Sequence, residues 1–217
     1  MYSRKIIILY ILLVTFIIPY SSSATKIACI SVSELLNHAD FVALVRIDGG
    51  EAIRIEDKYC GAKYRSRVID GIKGISTGEE LVWSTYATQA NTNLEIGSSY
   101  LIFLNKSNNP FDPLASTNSS AVNRKAEFEN ICGAALAGNR VAHTGNGALK
   151  IETPMLGRNS SVAAKWDQII RIPSRVLEIP EKLQRIPVEE KGQEVFSTPD
   201  VWVNLEDLIT YLKTELH

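Results

Sequence analysis

The sequence predicts a mainly β protein: a small closed barrel, preceded by a short helix and followed by an extension that ends in a second helix. Three observations carry this reading. Phe41–Val45 and Tyr100–Leu104 are apolar at every position, the pattern of central strands buried on both faces. Between them Tyr64, Ser66, Val68, Asp70 and Ile72 interleave with Arg65, Arg67 and Ile69, the period of two of a half-exposed strand. Gly71 lies inside that strand, where a glycine marks a bulge or bend, the device that curls a sheet toward closure.

The remaining elements follow in order. Ser31-Val32-Ser33-Glu34 is a capping box, with the Ser31 hydroxyl placed to accept the third amide of a helix. Val32, Leu35, Leu36 and Ala39 then recur on one face, and Asn37-His38-Ala39-Asp40 ends the helix just before Phe41. The first strand is expected over Phe41–Ile47, with Asp48-Gly49-Gly50 as a turn. Thr77-Gly78 turns the chain into a third strand, Glu80–Tyr86, around Trp83, and Ala87 to Leu94 reads as a surface loop. Asn105 to Asn123 is dominated by Asn, Ser and Pro and reads as a long loop. Ala126–Ala135 and Ala148–Thr153 are candidate strands, the second introduced by the turn Gly145-Asn146-Gly147.

Beyond Pro154 the composition changes. Ser161–Ile170 reads as a short helix. Ile-Pro then recurs at Ile172, Ile179 and Ile186, a frequency of proline that forbids a continuous helix and predicts an extended, largely irregular connection. Asn204 can cap a last helix with Leu205, Leu208, Ile209 and Leu212 as one apolar stripe, expected to dock on the domain.

The N-terminus reads as a secretory signal: Arg4 and Lys5, an apolar run from Ile6 to Ile18 closed by Pro19, and the small residues Ser22-Ser23-Ala24 before a cleavage site. Residues 1–24 are therefore expected as signal peptide, 25–155 as the barrel domain and 156–217 as the extension, with the mature protein periplasmic or extracellular. Losing Arg4 and Lys5 lowers the basic count from 23 to 21 against 24 acidic residues, a formal charge of −3. That balance lacks the basic footprint of a nucleic-acid binder. No later apolar run is long enough to cross a bilayer, so no stable membrane insertion is expected after cleavage. Cys29, Cys60 and Cys132 all lie in the exported part, where one disulfide and one leftover thiol are expected. Spacing alone does not choose among the three pairings.

Chemistry-bearing residues are sparse. His38, His143 and His217 are the only histidines, and none stands in a local signature with Cys29 or Cys60. Glu79-Glu80 would point to opposite faces of a strand. No motif for zinc, calcium, nucleotide or flavin occurs, so no catalytic residue, metal or cofactor is expected. Lys63, Arg65 and Arg67 form a small basic stripe beside Tyr64, read as a solvated strand face rather than an oligonucleotide or oligosaccharide site.

The order of parts then resembles a known family. Cys29, a helix ending in Ala39-Asp40-Phe41-Val42, the strand end Ile72-Lys73-Gly74, and the strand entry Ile96-Gly97-Ser98-Ser99-Tyr100-Leu101-Ile102-Phe103-Leu104 together look like a bacterial relative of the tissue inhibitors of metalloproteinases. The resemblance covers about Cys29 to Ile151. It implies the netrin-like domain, an OB-type five-stranded barrel, and a non-enzymatic module that binds a protein partner. It also implies a disulfide from Cys29 to a strand cysteine, Cys132, with Cys60–Cys132 as the competing pair.

In that family a first-residue cysteine chelates the protease zinc through its free amine and carbonyl. Here the expected mature start at Thr25 leaves Thr25-Lys26-Ile27-Ala28 ahead of Cys29, and an acylated nitrogen is a poor zinc ligand. The partner-binding edge implied is Cys29-Ile30-Ser31. Inhibition of a metalloproteinase through that edge, and an envelope interaction through the last helix, are the alternative readings.

Overall fold

The structure, a computed structural model, describes residues 29–87, 94–106, 130–136, 138–142, 145–152, 168–186 and 200–217. The chain is mainly β, with a short helix near its start and a longer one at its end. In order the elements are β1 (Ile30–Ser31), α1 (Val32–His38), β2 (Phe41–Ile55), β3 (Lys58–Lys73), β4 (Glu80–Tyr86) and β5 (Ser99–Lys106). After them come β6 (Asn139–Val141), β7 (Ala148–Glu152), β8 (Ile169–Ile172), β9 (Leu177–Glu178), β10 (Arg185–Ile186), β11 (Val201–Asn204) and α2 (Leu205–Glu215).

The capping box forms: the Glu34 amide donates to the Ser31 hydroxyl at 3.0 Å, and Val32, Leu35 and Leu36 are buried. Asp48-Gly49-Gly50 is not a turn. β2 runs straight through it to Ile55, and the register step from Ile47↔Ser66 to Gly49↔Arg65 leaves Asp48 as the extra residue of a bulge. The chain reverses at Glu56-Asp57 instead, where Glu56 takes a φ of 53°. Gly50 is needed for space: a Cβ there would lie 2.8 Å from the Tyr64 ring. The expected bend at Gly71 is present. Gly71 faces Ala43 while Ile72 is left unmatched, and a Cβ on Gly71 would strike the Ile75 carbonyl at 2.2 Å.

β2 pairs antiparallel with β3 and β5, and β3 with β4. β6 pairs parallel with β4 and antiparallel with β5. From β5 the sheet continues through β7, β8, β11 and β10. The strands that read as apolar on both faces have a core on each side. Ala43, Val45, Ile47, Tyr100, Ile102 and Leu104 pack with Tyr64, Val68, Leu81 and Trp83 in one core. The intervening Val42, Leu44, Leu101 and Phe103 pack with α1, β8, β9, β11 and α2 in the other.

Residues 168–186 and 200–217, expected as an extension, therefore supply strands to the same sheet and side chains to the second core. Ile169 and Ile170 open a strand, correcting the helix expected over Ser161–Ile170; residues 161–167 lie outside the described ones. The Ile-Pro repeat acquires a reason: Ile172, Ile179 and Ile186 are each buried, and Ile172 and Ile186 each end a short strand. Proline, lacking an amide hydrogen, cannot extend a ladder. The strand expected over Ala126–Ala135 is also corrected where it is described. Residues 130–132 are helical and 133–136 form a turn, closed by the Leu136 amide on the Cys132 carbonyl at 3.0 Å. The loops read over Ala87–Leu94 and Asn105–Asn123 fall mostly outside the described residues.

Candidate functional site

The N-terminal edge is largely used within the fold. Ile30 is buried, its amide donates to the Val176 carbonyl at 3.1 Å, and β1 pairs in parallel with β9 as Ile30↔Leu177 and Ser31↔Glu178. The Ser31 hydroxyl serves as the helix cap. Of the three residues expected as a partner-binding edge, only Cys29 is exposed.

The disulfide joins Cys60 to Cys132, with Cα atoms 5.5 Å apart, and leaves Cys29 as a free thiol. This corrects the Cys29–Cys132 pair in favour of its competitor. The reason is topological: Cys60 is on β3 against Tyr86 and Leu136 in a small buried cluster with Cys132, whereas Cys29 precedes β1 beside β9.

The two motifs that carry the resemblance have structural duties. Lys73 Nζ donates to the carbonyls of Leu36 at 2.8 Å and Asn37 at 3.0 Å, closing the C-terminal end of α1. Burial pulls its pKa down, and Asp40 pulls in the opposite direction. Gly74 takes a φ of 71°, and a Cβ there would lie 2.3 Å from the Asp40 carbonyl. At the β5 entry, the Gly97 amide donates to the Ile47 carbonyl at 2.7 Å. The Glu95 carboxylate accepts from Ser98 at 3.1 Å and from Lys150 at 2.7 Å, and Lys150 holds its pKa below the ordinary carboxylate value. Burial raises the Tyr64 and Tyr100 phenols, whose oxygens accept from the Leu94 and Glu95 amides.

One grouping escaped the sequence reading, and another proves larger than that reading had it. A polar clasp joins the helices: Ser33 and Tyr211 share a hydroxyl–hydroxyl hydrogen bond, Ser33 donates to Glu215 at 3.2 Å, and Lys182 reaches Glu215 at 2.9 Å and lies 4.3 Å from the Tyr211 ring centroid. Nothing in the spacing of residues 178 positions apart announces it.

The other grouping is cationic. Lys63, Arg65 and Arg67 face outward from β3, because Ala62, Tyr64 and Val68 face the first core. Register places Arg46 of β2 directly opposite Arg67. Arg46 sits alone in an apolar run, so only pairing could join it to the stripe.

The histidines do not converge. His38 is exposed at the end of α1, His217 is the exposed C-terminal residue, and His143 lies outside the described residues. Glu79 and Glu80 are exposed, and Glu79 accepts from the Ser76 amide at 3.3 Å. Among the described residues, no three His, Cys, Asp or Glu side chains cluster as a metal site, and no helix is long and apolar enough to cross a membrane. No protein-family model, curated protein or solved structure matches the chain.

Proposed function

We propose that this chain is an exported, non-enzymatic binding module of the netrin-like, tissue-inhibitor-like type, acting on a protein partner without a cofactor. The observation that carries the reading is the order of strand pairing. β2 pairs with β3, β3 with β4, β4 with β6, β6 with β5, and β5 again with β2; the β4–β6 contact alone is parallel. That order supports a closed five-stranded OB-type barrel filled by the Val45, Ile47, Val68, Trp83 and Ile102 core. The Cys60–Cys132 disulfide supports export, since such bonds persist in oxidising compartments. A signal peptide over residues 1–24 supplies the route.

The test is cross-linking of the exported protein in its own cell fraction, followed by reconstitution with the purified partner. A saturable one-to-one complex supports the reading. Turnover of a small substrate that is lost on changing one cysteine or histidine overturns it.

One observation favours metalloproteinase inhibition as a second reading: Cys29 is exposed and unpaired immediately before β1. Intact mass of the exported protein decides whether its amine is free. A chain starting at Thr25 removes zinc chelation by a terminal cysteine, whereas a chain starting at Cys29 makes inhibition assays against zinc proteases the next step. The third reading, a partner held by the last helix, is weakened by the burial of Leu205, Leu208 and Leu212 against α1.

A further inference from the structure

We infer that the outer face of β2, β3 and β4 is the partner-binding surface, and that it takes an acidic, extended segment of a protein carrying an apolar anchor. This rests on the binding-module reading above and names where that module binds. Near one end of this face Lys213 of α2 makes an ion pair with Asp70 of β3 at 2.9 Å. Beyond that point Arg46, Arg65 and Arg67 are exposed and Lys63 is half-exposed, all on one side of the sheet. Among the described residues none of these four cations makes an ion pair, although Glu51 stands opposite Lys63 and Glu80 opposite Arg67.

Arg46 and Arg67 are direct cross-strand neighbours. Like charges so placed destabilise a sheet, and a chain of net negative charge gains no solubility from grouping its cations. An oxyanion partner removes that cost, because guanidinium forks bind carboxylates in a bidentate fashion.

Three details favour a protein segment over a phosphate or sulfate polymer. Val82, opposite Arg65 on β4, is 44 % exposed beside the cations, and Ile69 beyond Arg67 is 45 % exposed. Exposed apolar side chains interleaved with arginines suit a protein interface, where arginine is enriched. The rim also carries Glu51 and Glu80, which repel a uniform polyanion but tolerate a mixed polypeptide. Finally, the Tyr64 ring packs against Trp83 in the barrel core, so it is not open to base stacking beside the stripe. A concavity of about 300 Å³ opens beside Gly49, Lys63, Arg65 and Val82, with room for one apolar side chain.

The probe is a glutamate peptide of about twelve residues, long enough to span the face at ~3.3 Å per residue, with one central leucine; the control has serine there. Titration of the full mature protein should give salt-dependent binding that weakens about tenfold as ionic strength rises from low to physiological values. The leucine peptide should bind several-fold tighter than the serine peptide. R65E/R67E should lower affinity by about tenfold or more, R46E should lower it too, and V82D should erase the leucine preference.

Unchanged near-ultraviolet circular dichroism confirms that each variant is folded, and all four positions are solvent-facing. Failure of both peptides to bind the wild type at low salt, or equal binding by folded R65E/R67E, overturns the inference. Tighter, Arg-dependent binding of heparin or polyphosphate also overturns it, by assigning the face to a polyanion. A reconstituted partner that binds R65E/R67E as well as wild type overturns this face and leaves the binding-module reading standing.

Discussion

At Gly74 one missing methyl decides whether β3 can meet the end of α1. Its φ of 71° belongs to the left-handed region, and a Cβ would press on the Asp40 carbonyl. Gly74→Ala is expected to cost about 1–3 kcal/mol, read as a lower urea midpoint with an unchanged slope; a loss of a few tenths would contradict this account of the position. Lys73 beside it spends its ammonium on two helix carbonyls, so the Lys-Gly pair reads as a joint between helix and strand rather than a contact for a partner.

The same scale carries a pH prediction. Glu95 has a folded pKa below its unfolded value, because Lys150 and Ser98 hydrogen-bond its charged form. Its contribution to stability is therefore present above the ordinary carboxylate pKa and is lost as pH falls through the folded value. The carboxyl resonance of Glu95 should titrate below that of a free glutamate, and Lys150→Met should return it upward. A titration unmoved by that change would remove Lys150 as the cause.

Among elements, β2 and β3 show how local pattern and pairing divide the information. Alternation in Tyr64–Ile72 announced a strand, and Gly71 announced its bend. Asp48-Gly49-Gly50 carried the composition of a turn yet became a bulge, because the partner strand continued and Gly50 was needed to admit the Tyr64 ring. Arg46 shows the reverse case: an unremarkable exposed residue gains meaning only through its register with Arg67.

The disulfide belongs to this scale too. It ties β3 to the turn at 132–136 across 72 residues, for which the chain-entropy account gives about 4 kcal/mol. C60A/C132A should lower the unfolding midpoint accordingly, while Cys29→Ala leaves stability and the non-reducing peptide map unchanged. Loss of the mapped bridge in Cys29→Ala would reinstate the other pair.

For the whole molecule, the decisive feature is that the C-terminal region shares a core with the N-terminal helix. Leu208 is fully buried among residues of α1, β8 and β11. Leu208→Ala should cost about 2–5 kcal/mol, and removing 205–217 should abolish the cooperative thermal transition instead of merely releasing a partner. A truncated protein that unfolds as cooperatively as the full chain would show that the last helix is an appendage after all.

What the sequence determined by itself was local. It specified the capped helices at Ser31 and Asn204, the doubly apolar strands at Phe41 and Tyr100, the bend at Gly71 and the stripe along α2. These depend on residues within a few positions of one another, where periodicity and capping chemistry act directly. The tertiary structure decided the rest: Cys60 over Cys29 as the disulfide partner, the occupation of Ile30 and Ser31 by β9, the Ser33–Tyr211–Glu215 clasp, and the grouping of Arg46 with Arg65 and Arg67. Each joins residues whose separation along the chain carries no pattern. Strand register brings the arginines together, and a small cluster with Tyr86 and Leu136 brings the cysteines together.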